Sequence, residues 1–266
     1  TGWRIARTTR GAGFSRASHA RTSRFMWASV AILALVAAGE VSAFNFQPTM
    51  KDFYIYPAYC KAKLADFHRN RAGQWRVKLP INEQQVGYWR EVIGPDWSHM
   101  HHFCAGLTYI SKANDSMLPP PARRTAWGRA VEEISYTRGR SAPGHPFWEQ
   151  MSLKYAEALG GAGRFDEAMG VLTELRAQNP KGVDAYVLQA RLLKGKGKMD
   201  EAMALLKAGL DAGAKRGPLL FYLAEYYFDT GDFEAAQKFA TEANAAGMKM
   251  DRLWSKLPES YGGRGD

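Results

Sequence analysis

The chain is short of almost everything that would mark a familiar chemistry. It has only two cysteines, Cys60 and Cys104, in 266 residues, too few for a disulfide framework. The apolar run Phe25–Gly39 stops at fifteen residues, short of the roughly 20 that a membrane-crossing helix needs. No Gly-x-Ser-x-Gly elbow, no phosphate-cradling Gly-x4-Gly-Lys-Ser/Thr loop and no His-Glu-x-x-His pair is present. Nothing therefore points to a hydrolase elbow, a nucleotide-binding loop, a zinc protease or a bound cofactor. A concentrated basic surface is missing too. The formal charge is +10, but residues 1–43 hold six Arg and one Glu and so account for half of it. The other half is diluted over more than two hundred positions, with no basic stripe interleaved with stacking aromatics, which argues against a nucleic-acid partner.

What is there is globular: 46% hydrophobic and 23% charged residues, with eight Trp, twelve Tyr and thirteen Phe to build a core. The charge asymmetry has a local explanation. A basic stretch ends at Arg24, the uncharged run Phe25–Gly39 follows, and Val41-Ser42-Ala43 puts small residues at the first and third places before a cut. That is the layout of a secretory signal peptide over residues 1–43, with an uncleaved anchor as the alternative. No Cys lies near the cut, so a lipoprotein anchor is excluded. The expected location is the bacterial periplasm.

Periodicity speaks most clearly. Gly163, Gly197 and Gly231 are spaced by 34 residues, and each opens a similar segment, GRFDEAM, GKMDEAM and GDFEAAQ. An apolar residue follows each glycine at the second position (Phe165, Met199, Phe233) and Ala at the fifth (Ala168, Ala202, Ala236). Upstream, Ala156, Ala190 and Ala224 share the period, as do Leu159, Leu193 and Tyr227. Apolar positions recur at spacings of three and four, as in Ala202, Leu205, Leu206 and Leu210, so each segment reads as an amphipathic helix.

These columns resemble the tetratricopeptide repeat family, whose unit is a pair of antiparallel helices. The resemblance implies an all-α fold: a right-handed α-solenoid of helical hairpins. Repeats are expected at 149–182, 183–216 and 217–250. The pattern is imperfect. Ser152 stands where the first helix carries a large aromatic, and a helix-stopping Pro follows only the first repeat, at Pro180. Carried over position by position, the family's concave groove falls on Gln150, Leu153 and Glu157, on Asp184, Val187, Arg191 and Lys194, and on Phe221, Glu225 and Phe228. Phe221 and Phe228 could instead be core.

Residues 44–98 do not follow the repeat and read as a small helical N-terminal cap, with helices near Ala58–Arg69 and Gln84–Ile93. Residues 99–148 read as a degenerate hairpin: Gly106 and Ala130 are 24 residues apart where the repeat has 12, and Ser116–Pro121 is expected to loop out. Residues 251–266 read as a capping helix and a fraying tail. Two cysteines in an exported chain favour one disulfide, Cys60–Cys104, contributing about 3–4 kcal/mol by loop entropy; two free buried thiols are the alternative. As a whole the chain resembles a group of exported bacterial repeat proteins.

The reading that results is a non-catalytic scaffold or assembly factor in the periplasm, holding a partner peptide or helix in its groove. A rival class is a metal- or haem-binding protein using His99, His101 and His102, with His99 and His102 sharing a helix face. An enzyme with an unrecognised site in 44–148 is a third. The Lys194, Lys196 and Lys198 cluster reads as a solvated face, or else a contact for an acidic partner or for lipid headgroups at a membrane surface. Oligomeric state stays open.

Overall fold

The computed structural model describes residues 49–69 and 80–261; the expected signal sequence, 1–43, lies outside the described residues. Among the described residues there is no strand. Twelve α-helices follow one another: α1 (Met50–Ile55), α2 (Ala58–Arg69), α3 (Glu83–Ile93), α4 (Met100–Asn114), α5 (Pro120–Arg138), α6 (Trp148–Gly161), α7 (Phe165–Gln178), α8 (Val183–Gly195), α9 (Met199–Asp211), α10 (Arg216–Asp229), α11 (Phe233–Ala245) and α12 (Asp251–Trp254). From α4 to α11 each helix packs on the next, and α8 also touches α6 and α10. That pattern is a helical solenoid, in which each hairpin covers apolar surface its neighbour cannot cover alone.

The 34-residue period is written in the backbone. Gly163, Gly197 and Gly231 have φ of 82°, 74° and 82°, a left-handed geometry that costs other residues dearly. At each, the following N–H reaches back to the helix before it: Arg164 to the Leu159 carbonyl at 2.9 Å, Lys198 to Leu193 at 3.0 Å, Asp232 to Tyr227 at 3.0 Å. These are Schellman caps, which satisfy the carbonyls left over at a helix end. The same turn residues open the second helix, whose first bonds come from Ala168, Ala202 and Ala236. Those three alanines and Ala156, Ala190 and Ala224 are all inaccessible to solvent. Small side chains there let the paired helices approach closely.

The missing prolines have a structural counterpart. α7 stops at Asn179-Pro180, but α9 and α11 stop at Gly213 and Gly247, with φ of 78° and 86°. Ala214 and Met248 complete Schellman caps there, to the Gly209 and Ala243 carbonyls. This pair is also 34 residues apart. A left-handed glycine does the work of the proline.

Ser152 is likewise explained. It is fully buried and accepts a 2.8 Å hydrogen bond from Arg138 Nε. The Arg138 guanidinium lies 4.9 Å from the Trp148 ring centre and 5.6 Å from that of Tyr155, and bonds Glu174 at 3.1 Å. A side chain from the preceding hairpin thus occupies the space that an aromatic fills in the next repeat, where Tyr186 is buried.

The hairpin α4–α5 corrects the expectation of a looped-out insertion. The connection is only residues 115–119, and Pro120 and Pro121 begin α5. Ten of the twelve surplus residues are helical, three lengthening α4 and seven lengthening α5. Proline suits a helix start because its missing N–H would have no partner there anyway, so a proline run read as a breaker is a start signal. Gly106 and Ala130 take the places of the paired alanines, both buried.

Ahead of this hairpin, α1 and α3 start with capping boxes, Thr49 with Asp52 and Asn82 with Gln85. Cys60 and Cys104 form a buried disulfide joining α2 to α4. Tyr59, Leu64, Val86, Trp97, Phe103, Ile134 and Met151 belong to one cluster, so the N-terminal segment shares its core with the hairpin and first repeat. At the other end, the capping segment is one turn of helix, α12, and a 3-10 turn at Glu259–Tyr261. Leu253 and Leu257 are buried and Trp254 is half-buried.

Candidate functional site

The first helices α6 and α8 lie side by side and leave a cleft of about 400 Å³ between their outward faces. Gln150, Leu153, Lys154 and Glu157 line it from α6, Asp184, Val187, Leu188 and Arg191 from α8, and Tyr222 from α10. On both α6 and α8 the lining residues fall at i, i+3, i+4 and i+7, one stripe of a helix. Leu153, Val187 and Leu188 are half-buried and give an apolar floor, while Gln150, Asp184 and Arg191 are exposed at its rim. Lys154 and Glu157 pair with each other at 2.7 Å.

Of the residues assigned to the groove from the sequence, six meet in this cleft: Gln150, Leu153, Glu157, Asp184, Val187 and Arg191. Four do not. Lys194 pairs with Asp229 and stands 4.7 Å from the Tyr226 ring centre. Glu225 is half-buried on α10 and outside the lining. Phe221 and Phe228 pack with Leu220, Ala240, Met250 and Leu253, and Phe228 also lies against Phe233, at 5.6 Å between ring centres. Among the described residues no hairpin follows the third repeat and the C-terminal turns fold over it, so these two half-buried rings pack against the core at that end. Tyr222 supplies that repeat's contribution instead. The family pattern places groove residues at fixed register and cannot register what caps the final hairpin.

The histidines take part in local packing. His102 Nδ1 bonds Glu133 Oε2 at 2.6 Å, and its ring lies 4.0 Å from that of Tyr136. His99 meets the same tyrosine edge-on at 5.6 Å, and its carbonyl accepts from Thr137 Oγ1 at 3.3 Å. His101 sits against the His102 ring at 4.4 Å. Burial, then the neighbouring His102 and Lys63 charges, pushes its pKa down to about 3, so it is neutral at physiological pH. Cys104 is committed to the disulfide. The His68 side chain lies outside the described residues. Among the described residues no group of three or more His, Cys, Asp or Glu side chains is placed to hold a metal ion.

One polar cluster was not legible in the sequence: Asp96, Ser141 and His145. These residue types suggest nucleophilic chemistry, but the wiring is different. Ser141 Oγ donates to Asp96, not to the histidine. His145 Nε2 donates to the Ile93 carbonyl at 2.8 Å, and its Nδ1 accepts from the Phe147 N–H at 3.2 Å. With both ring nitrogens on the backbone, the imidazole cannot take a proton from Ser141. The cluster ties the 3-10 turn after α3 to the loop before α6.

Comparison with known proteins agrees with the repeat geometry. Residues 159–220 match the tetratricopeptide repeat family model. That stretch runs from the end of α6 into α10, and it carries tetratricopeptide repeats within an all-α solenoid. A solved structure described as MamA AMB-1 C2221 is 15% identical, covering 74% of this chain and 99% of its own, with a TM-score of 0.38. At that score the likeness carries nothing about this chain's function. No curated protein matches.

Proposed function

We propose that the protein is a non-catalytic scaffold whose α6–α8 cleft holds a segment of another protein. The observation that carries this reading is the pairing of an apolar floor with a polar rim on two consecutive first helices. Such a surface can bury a few anchoring side chains of a partner while its rim sets orientation. Protein binding is the general property of the repeat; the α6–α8 cleft as its site belongs to this proposal.

We place the scaffold in the bacterial periplasm, where it would act in assembly of an envelope structure. Two features support that location: the signal-like layout of residues 1–43, and a buried disulfide suited to an oxidising compartment. Among the described residues no helix is long and apolar enough to cross a membrane.

The test is a photo-crosslinking amino acid at Val187 in cells, with Glu234 on α11 as an exposed control site outside the cleft. A discrete crosslinked protein from Val187 and not from Glu234 is the expected result. Crosslinks that are absent from Val187, or the same from both positions, would refute the assignment. Fractionation of the tagged protein tests the location, and retention in the cytoplasm would overturn it.

A further inference from the structure

We propose that the occupant of the cleft is an amphipathic helix of its partner, with a defined charge order along one face. It carries a basic residue, an apolar side chain three or four positions on, and an acidic residue seven positions on. The inference rests on the binding reading above and specifies its ligand.

The shape argument comes first. The ends of the α6 stripe, Gln150 and Glu157, and of the α8 stripe, Asp184 and Arg191, are seven positions apart, about 10.5 Å or two helical turns. Two adjacent helices leave a valley into which the side-chain ridge of a third can pack, since all three share the same spacing. A volume of about 400 Å³ is room for inserted side chains, not for a buried backbone. The body of a ligand helix would ride above the valley and send one or two apolar side chains down to Leu153, Val187 and Leu188.

Charge then fixes the order. Lys154 and Glu157 neutralise each other across 2.7 Å. The Asp184 and Arg191 side chains are exposed, and neither makes a hydrogen bond or ion pair with another described residue. The cleft therefore presents an uncommitted anion at one end of the α8 stripe and an uncommitted cation at the other. A ligand helix aligned with α8 meets them at its own positions i and i+7, with the apolar floor beneath i+3 and i+4. An extended strand sets its same-face side chains about 6.8 Å apart, so three of them cover about 13.6 Å and overshoot the roughly 10.5 Å between the two charges.

The experiment uses the intact protein and alanine-based helical peptides carrying Lys-Leu-Glu, Lys-Leu-Lys or Glu-Leu-Glu at i, i+4 and i+7, read by fluorescence anisotropy at low salt. The native protein is expected to prefer Lys-Leu-Glu over Lys-Leu-Lys by about fivefold, the effect of one exposed ion pair. Arg191→Glu should transfer that preference to Lys-Leu-Lys, and Asp184→Lys should transfer it to Glu-Leu-Glu. If a reversed charge disturbs folding, Arg191→Ala should simply abolish the discrimination that the native protein shows between Lys-Leu-Glu and a fourth, neutral-ended peptide, Lys-Leu-Gln. Preferences unmoved by these substitutions, or no binding of any peptide, would overturn the proposal. Val187 crosslinks that persist in that case leave the scaffold reading intact; their loss would remove both.

Discussion

Gly106 tests whether close helix approach, not helix propensity, governs the α4–α5 hairpin. A Cβ at this position would stand 2.3 Å from Ile134 Cγ1 and 3.0 Å from Cδ1. Ile134 is fully buried, and its branched side chain has one strongly preferred rotamer in a helix. Relief therefore has to come from the backbone. Propensity alone favours Gly106→Ala by about 1 kcal/mol, whereas overpacking a dense core costs about 1–3 kcal/mol. With so short a contact against so stiff a neighbour, the upper end applies, and a net loss of about 2 kcal/mol is expected. Urea denaturation followed by circular dichroism measures it as a lower midpoint at unchanged slope. The repeats supply the control. Ala156 and Ala190 occupy the place of Gly106, and Leu172 and Leu206 that of Ile134, all fully buried. Gly106→Ala with Ile134→Leu recreates that pairing and should cost at least about 1 kcal/mol less than the two single changes summed. A neutral or stabilising Gly106→Ala would refute the packing argument.

Other expectations follow from individual features. Gly195 and Gly197 both have open space where a Cβ would go, but only Gly197 has a positive φ; Gly197→Ala should cost about 1–2 kcal/mol and Gly195→Ala should be neutral or slightly stabilising in the same assay. Reducing Cys60–Cys104, which spans a sequence separation of 44, should lower stability by about 4 kcal/mol on the loop-entropy model, read from denaturation with and without reductant; an unchanged midpoint would contradict it. His101 has its folded pKa lowered from 6.5 to about 3, so the unfolded chain takes up the proton first. Its contribution is intact above pH 6.5 and declines as pH falls from there toward 3, at up to about 1.4 kcal/mol per pH unit. His101→Gln should flatten the stability profile between those limits, and an identical profile would sink the assignment.

The sequence alone determined the repeating part of this protein. Thirty-four-residue spacing of Gly163, Gly197 and Gly231 and of the paired alanines is a statement about local geometry: left-handed turns and close helix contacts must recur wherever the hairpin recurs. The same logic put six of the cleft residues in register, because a helix face follows from spacing. What only the tertiary structure decided are the contacts between elements that are distant in sequence. Phe221 and Phe228 pack half-buried against a core cluster because the C-terminal turns close over the third repeat. Ser152 is tolerated because Arg138 arrives from the hairpin before it. The prolines after Pro119 start a helix whose added turns run back along α4, where Arg123 Nε donates to the Ala113 carbonyl at 3.0 Å. Asp184 and Arg191 are left without an ion pair because the charges that α6 brings to the cleft, Lys154 and Glu157, pair with each other. Spacing along the chain settles which residues share a face; what that face meets depends on where the rest of the chain folds.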